Sequence, residues 1–282
     1  MNGIKAMKIA MQTLLVLKKG SYKNEKMQVV EIAKELQESV RSTVLYTPEI
    51  LDNMLEQITP GEARETILEI TKETTLEAST RLVNEGYANI ACLNFANARV
   101  PGGGFLAGGL AQEESLARAS GLFPSIVKKK VFYDENKKGR TALYTDHVIY
   151  SPNVPVFRRD DGSFLDKPYL LSIITSPAVH SGVIHLLEKY RINQIEPVMK
   201  KRIMKILGLA KEEKQDAIIL GAFGCGVFKN DVEMVARLFR ECLEDERFKN
   251  QFEKVVFAIY EGNSNQQYTT FQNEFFPIET VN

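Results

Sequence analysis

No stretch of this 282-residue sequence approaches the roughly 18 consecutive apolar residues of a membrane-spanning helix, and no membrane partner is expected. The N-terminal run IKAMKIAMQTLLVLKKG sets lysines into helical spacing where a signal peptide would be uninterruptedly apolar. Excess charge is missing too. Lys+Arg and Asp+Glu each number 36, which removes the overall attraction behind non-specific nucleic-acid binding. No sequence-specific nucleic acid is therefore expected as a partner, whereas a small anion held by backbone donors stays open. Cysteine is scarce: Cys92, Cys225 and Cys242 have no paired spacing, which points to a reducing, cytoplasmic setting. The only histidines are His147, His180 and His185, and the last two, five apart, do not share a helix face, so no metal is expected. Neither G-x-x-x-x-G-K-[ST] nor G-x-G-x-x-G occurs, which argues against a P-loop NTPase and a Rossmann dehydrogenase and leaves no organic cofactor.

What is present is an ordinary globular composition, 44% hydrophobic and 26% charged, carrying strands that alternate with helices. Ile4, Met7, Met11, Leu14 and Leu15 predict an amphipathic helix ending at Gly20. A second helix is predicted from Pro60 through EARETILEITKETTLEASTRLV to Gly86, so the first 85 residues read as mostly helical. Buried strands follow at 89–98, 147–152, 169–179, 217–220 and 254–260, with RRDDGS as a turn between the second and third. A long helix carries Ile195, Val198, Met199, Ile203, Ile206 and Leu207 on one stripe, another follows at VEMVARLFRECLED, and NSNQQYTTFQNEFF closes the chain as a short helix. KKKVFYDENKKGR (128–140) alternates in sign and reads as a solvated loop or hairpin that could brush a polymer's phosphates. The fold class is α/β, a three-layer α/β/α arrangement with a helical N-terminal extension.

Two strands run straight into glycine loops that open helices. In such sheets, ligands bind where strands end and backbone N–H groups converge. Gly102, Gly103, Gly104, Gly108 and Gly109 in one loop, and Gly221, Gly224 and Gly226 in the other, allow close approach to a diphosphate. Cys225 sits between two of them as a small residue that fits. Directly after the first loop stand Glu113 and Glu114, about 100° apart on a helix. They cannot face the same atom, so one suits a sugar hydroxyl and the other acid/base work.

Gly102-Gly103-Gly104, a seven-residue spacer and Gln112-Glu113-Glu114 resemble the GGG-x(6–8)-QEE signature of poly(ADP-ribose) glycohydrolases, a family with a macrodomain-like fold and a mixed central sheet. NFANA before it, and ITSPA and GAFGCGVFKND after it, are similar to blocks of the compact bacterial-type members, in the same order and spacing. The resemblance implies a helical accessory region at 1–85 packed on a catalytic core at 86–282. It implies hydrolysis of ribosyl O-glycosidic bonds in poly(ADP-ribose), from the chain end, with ADP-ribose as product. Glu114 would be the catalytic residue, Glu113 would bond the ribose beside the scissile bond, and Asn97 another hydroxyl of that ribose, with Gln112 completing the motif. Gly102, Gly103 and Gly104 and the loop Gly224-Cys225-Gly226 would embrace the diphosphate, Val227 and Phe228 would press on the distal ribose, and Tyr260 is a candidate to stack on adenine. Glu114 must begin protonated, and burial beside Glu113 is expected to raise its pKa. Two other readings stay open: an ADP-ribose-binding module without turnover, and a hydrolase of mono-ADP-ribose on protein or nucleic acid.

Overall fold

The structure is a computed structural model that describes residues 1–62, 64–260 and 265–277. The chain begins with α1 (Gly3–Lys19), capped by Asn2, whose side chain accepts from Lys5 N–H, and ended by Gly20 in a left-handed turn. A small hairpin of β1 (Ser21–Lys23) and β2 (Val29–Glu31) leads to α2 (Ala33–Ser42), β3 (Val44–Tyr46), α3 (Pro48–Gln57), β4 (Ile67–Thr71) and α4 (Thr75–Glu85). Then come β5 (Ile90–Phe95), α5 (Gln112–Ala119), α6 (Leu122–Val127), α7 (Lys130–Lys138), β6 (Val148–Arg158) and β7 (Phe164–Ser176). The chain finishes with α8 (Ser181–Leu187), α9 (Ile195–Glu212), β8 (Ala217–Leu220), α10 (Val232–Glu244), β9 (Lys254–Ala258) and α11 (Gln266–Phe275).

Seven strands form one mixed sheet in the order β3-β6-β7-β5-β8-β9-β4. β6 runs antiparallel to both β3 and β7, whereas β7, β5, β8, β9 and β4 pair in parallel. Alternation along β5 divides two cores: Ala91 and Leu93 pack toward α9 and α10, while Ile90 and Cys92 pack toward α4 to α7. Helices cover both faces, and the expected three layers are present. Because the five parallel strands point the same way, the loops 96–111, 177–180 and 221–231 gather at one edge of the sheet.

Four expectations need correction. The helix predicted from Pro60 to Gly86 is cut by β4, whose Ile67, Ile70 and Thr71 are β-branched and pair in parallel with Lys254, Phe257 and Ala258 of β9. The first 85 residues thus supply both edge strands of the sheet, β3 and β4, in addition to helices. α1 is a helix, but it buries Ala6, Ile9, Ala10, Thr13 and Val16 and leaves Ile4, Met7, Met11 and Leu15 exposed. Small residues win that face because they allow close approach to α5 and the glycine loop, where the Gly3 carbonyl lies against Gly108. The 128–140 segment is no solvated loop: α7 spans most of it and buries Phe132, Tyr133 and Asn136, hidden in the sequence among charges. The expected C-terminal helix is α11, and the first two residues of its predicted span lie outside the described residues.

Behind the loop edge, α9 carries two buried cations. Arg202 donates to the carbonyls of Pro177 (2.9 Å) and Leu143 (3.0 Å) and to Asp146 Oδ1, and Lys205 reaches Asp146 Oδ2 at 2.9 Å. Burial opposes the charge on Asp146, but Arg202 and Lys205 outweigh it and hold its carboxyl below the usual range. This cluster ties the 141–146 loop to the end of β7. Removing one partner strands buried charge, which costs about 3–5 kcal/mol. Asp146→Ala is therefore expected to lower unfolding stability by that amount in urea denaturation, well beyond the loss in Asp52→Ala, which removes a more exposed partner of Lys205. Since a depressed carboxylate pKa stabilises only above it, the parent's advantage over Asp146→Ala should fade as pH falls through the acid range.

Candidate active site

β5 stops at Phe95 and the chain folds back through a turn in which Asn97 Oδ1 accepts from the N–H groups of Arg99 and Val100, both at 2.9 Å. Gly102 and Gly103 follow at φ 69° and 55°, conformations that glycine adopts freely. At Gly103 there is no room either, since a Cβ would collide with Glu114 Oε1 and lie 3.0 Å from Glu113 Oε2. The loop comes this close because it binds the carboxylates through its backbone. Gly104 N–H donates to Glu114 Oε1 at 2.8 Å and Asn97 N–H to Glu113 Oε2 at 2.7 Å. Gly102 and Asn94 lie close enough to favour the charged form of Glu113. Gly102, Gly103 and Gly104 wrap the two glutamates and stand just outside the residues that line the cleft.

The first turn of α5 is fixed to the sheet by Gln112. Its Oε1 accepts from Phe95 N–H at 2.9 Å, and its Nε2 donates to Leu93 O at 2.7 Å and Thr75 Oγ1 at 3.1 Å. Gln112 borders the cleft, yet its amide is spent on protein, so it orients the glutamates that follow. Arg118, one turn beyond Glu114, is buried and donates to the Gly109 carbonyl, closing the loop onto the helix. Glu113 is almost wholly buried and Glu114 half-buried, and each keeps one carboxylate oxygen without a protein partner. The two carboxylates thus stand in different environments. Burial pushes the Glu113 carboxyl up to about 8, with the Glu114 charge adding to the rise against the Asn97 N–H bond. Tyr133 of α7 lies beneath, its hydroxyl buried without a partner and within the field of Glu113.

The second loop, between β8 and α10, bends at Gly224 (φ 74°), which packs against Ala178 and Asn230. Its N–H groups at Gly224, Gly226, Val227 and Phe228 have no acceptor within the described residues, while Cys225, Lys229 and Asn230 donate inward to Ala222, Gly226 and Gly224. Four unpaired N–H groups in one loop make an anion-binding concavity. The Cys225 side chain belongs to the hydrophobic core, as suits a small residue between two glycines, and its thiol is pushed up to about 12 by burial. That excludes a nucleophile at neutral pH.

The glutamates and this loop face each other across a cleft of about 320 Å³. Asn97, Glu113, Glu114, Gly224, Gly226, Val227, Phe228 and Tyr260 all border it, so the structure brings together most of the residues singled out by sequence. Asn97 commits its Oδ1 to its own turn, leaving the amide NH2 for a ligand hydroxyl. Sequence reasoning missed Phe95, Ala178, Gln267, Arg118 and Tyr133. The i, i+4 spacing from Glu114 was a signal for Arg118, whereas nothing local marks Gln267. A second cavity of about 490 Å³ adjoins the first, sharing Phe95, Ala111, Gln112, Ala258 and Tyr260 and extending past Thr74, Thr75 and Asp160. Among the described residues there is no group of three or more His, Cys, Asp or Glu side chains that could hold a metal, and no helix long and apolar enough to cross a membrane.

With that geometry in hand, comparison with known proteins is informative. The family described as microbial-type PARG, catalytic domain, matches residues 10–159. Among solved structures, poly(ADP-ribose) glycohydrolase from Thermomonospora curvata is 40% identical, with a TM-score of 0.92 over 96% of this chain and 99% of that one. The same enzyme bound to the inhibitor ADP-HPD superimposes with a TM-score of 0.89. The Deinococcus radiodurans enzyme in complex with ADP-ribose is 40% identical, with a TM-score of 0.81 over 86% of this chain and 98% of that one. A comparison with curated proteins finds no match.

The raised pKa of Glu113 has a measurable consequence. Folding must keep this carboxyl neutral, so its stabilising contribution is complete below the ordinary value of 4.5 and is lost as pH rises through about 8. Glu113→Gln, which stays neutral and still accepts from Asn97 N–H, is expected to melt at a higher temperature than the parent at pH 8 and to differ little at pH 4.5. Thermal melts at the two pH values check this.

Proposed function

Since the chain belongs to the microbial-type poly(ADP-ribose) glycohydrolase catalytic-domain family, we propose that it hydrolyses the ribosyl O-glycosidic bonds of poly(ADP-ribose) from the chain end, with Glu114 as acid and base. The observation that carries the assignment to Glu114 is its position: the residue lines the cleft together with the second loop, one of its oxygens is fixed by Gly104 N–H, and the other is buried without a protein partner. A diphosphate on those groups puts the adjoining ribose against Asn97, Glu113 and Glu114. The base then lies toward Tyr260, where the second cavity takes it. One terminal unit fills this continuous space, which suits attack at the chain end.

The reaction follows from the pair. Burial keeps Glu113 protonated at neutral pH, with the neighbouring Glu114 carboxylate adding to that preference, so Glu113 serves as a neutral hydrogen-bonding group. Glu114, the more exposed of the two, is the acid: its own carboxyl proton goes to the departing oxygen as the C1–O bond of the ribose breaks. The resulting oxocarbenium ion is flanked by the diphosphate's negative charge. Glu114, now a carboxylate, takes a proton from the attacking water, whose oxygen bonds to C1, and is restored. Neutral Glu113 holds a ribose hydroxyl throughout. The unpaired cysteines suit a reducing setting such as the cytoplasm.

Purified protein incubated with poly(ADP-ribose) is expected to release free ADP-ribose. Glu114→Gln should lose about 10²–10⁴-fold in turnover, the contribution of a positioned acid/base, while ADP-ribose affinity stays nearly constant. Tight ADP-ribose binding by the parent without polymer turnover would instead describe a binding module or an enzyme for mono-ADP-ribosylated acceptors.

A further inference from the structure

The hydrolase reading, on which this inference rests, leaves part of the substrate without a place. In poly(ADP-ribose), the oxygen released at C1 belongs to the adenosine ribose of the next unit. An adenine and a diphosphate are attached to the very sugar that departs. Both need a place close to the scissile ribose, outside the space filled by the terminal unit.

We propose that Arg99, Tyr144, Phe228 and His180 form a subsite there for the leaving unit, with the guanidinium on its diphosphate and the rings against its adenine. Arg99 is rooted in the turn that carries Asn97, since its own N–H donates to Asn97 Oδ1 at 2.9 Å. Its side chain is exposed and makes no ion pair among the described residues. Arg81, Arg202, Arg237, Arg240 and Arg247 are all matched with carboxylates. Arg99 instead lies over the Tyr144 ring, 5.7 Å from its centroid. Tyr144 is 6.0 Å from the Phe228 ring, and Phe228 stacks on His180 at 4.5 Å with 17° between planes. A cation is thus followed by three rings in series along the rim.

The arrangement is held at a cost that packing alone does not require. Tyr144 sits at φ 57°, uncommon for a bulky residue, and buried Arg202 fixes it by donating to the carbonyls of Leu143 and Tyr144. The carboxylates on neighbouring elements are engaged elsewhere. Glu188 accepts from Thr141 Oγ1 and Ala142 N–H and pairs with Arg191, and Asp146 is occupied by Arg202 and Lys205. Arg99 is therefore free to meet a phosphate, and an adenine face suits the half-buried rings because base–aromatic stacking needs no particular sequence.

The test separates this subsite from the cleft itself. Full-length parent and Arg99→Ala are assayed on poly(ADP-ribose) and on an ADP-ribosyl glycoside of a small aryl alcohol, which has the scissile bond but no leaving nucleotide. The expected result is a loss of about ten-fold in kcat/KM on the polymer, mainly through KM, with the small glycoside changed less than about two-fold. Arg99→Lys should recover part of the loss, and the polymer rate of Arg99→Ala should fall less steeply with added salt than the parent's. Equal losses on both substrates, or no loss on either, would overturn the subsite while leaving the hydrolase reading intact. Failure of the parent to cleave either substrate would overturn both.

Discussion

Everything distinctive in this site depends on backbone N–H groups reaching two adjacent carboxylates. Side chains that approached Glu113 and Glu114 as closely would bring their own bulk, and lysine or arginine would bring full positive charge that forces both acids to ionise. A glycine loop supplies partial charges at short range and no bulk. Gly104 and Asn97 each donate one bond, Gly103 passes close enough that no Cβ fits, and Arg118 holds Gly109 from behind. The geometry of the acids is fixed, yet Glu113 retains its proton near neutrality because burial outweighs the hydrogen bonds it accepts.

The same economy explains how a chain with no net charge can accommodate a diphosphate. The second loop turns four N–H groups outward and directs its other donors back into itself, and the buried side chain of Cys225 anchors its middle in the core. No cation is needed at the cleft floor. The ligand's own anion stabilises the oxocarbenium ion that develops beside Glu114. Of the cations of this region, Arg118 is spent on the Gly109 carbonyl, Arg202 lies behind the loops and Arg99 is rooted in the Asn97 turn.

Much of this was legible in the sequence because strand–glycine–helix units are local. Apolar runs without a polar face marked β5, β8 and β9, and the spacing from Gly104 to Gln112 brought Glu113 and Glu114 to the sheet edge. The failures share a cause, which is that tertiary pairing overrides local pattern. β4 has helix-compatible spacing and becomes a strand only because β9 offers it a parallel neighbour. α7 reads as charged until Phe132 and Tyr133 are buried beneath α5. That Gly102, Gly103 and Gly104 pack on the catalytic side chains was not legible, because a flexible glycine loop beside an anion site looks the same in sequence whether or not it also holds carboxylates. The distances to Glu113 and Glu114 reveal that packing.

The most direct measurement is the turnover of Gly103→Ala on poly(ADP-ribose) together with its affinity for ADP-ribose. If the first loop exists to hold the carboxylates, a methyl group at this left-handed position displaces Glu114, and turnover should fall by about 10²-fold or more with affinity nearly unchanged. If the loop instead served the diphosphate, affinity would fall and the turnover of bound substrate would survive, which would contradict the account.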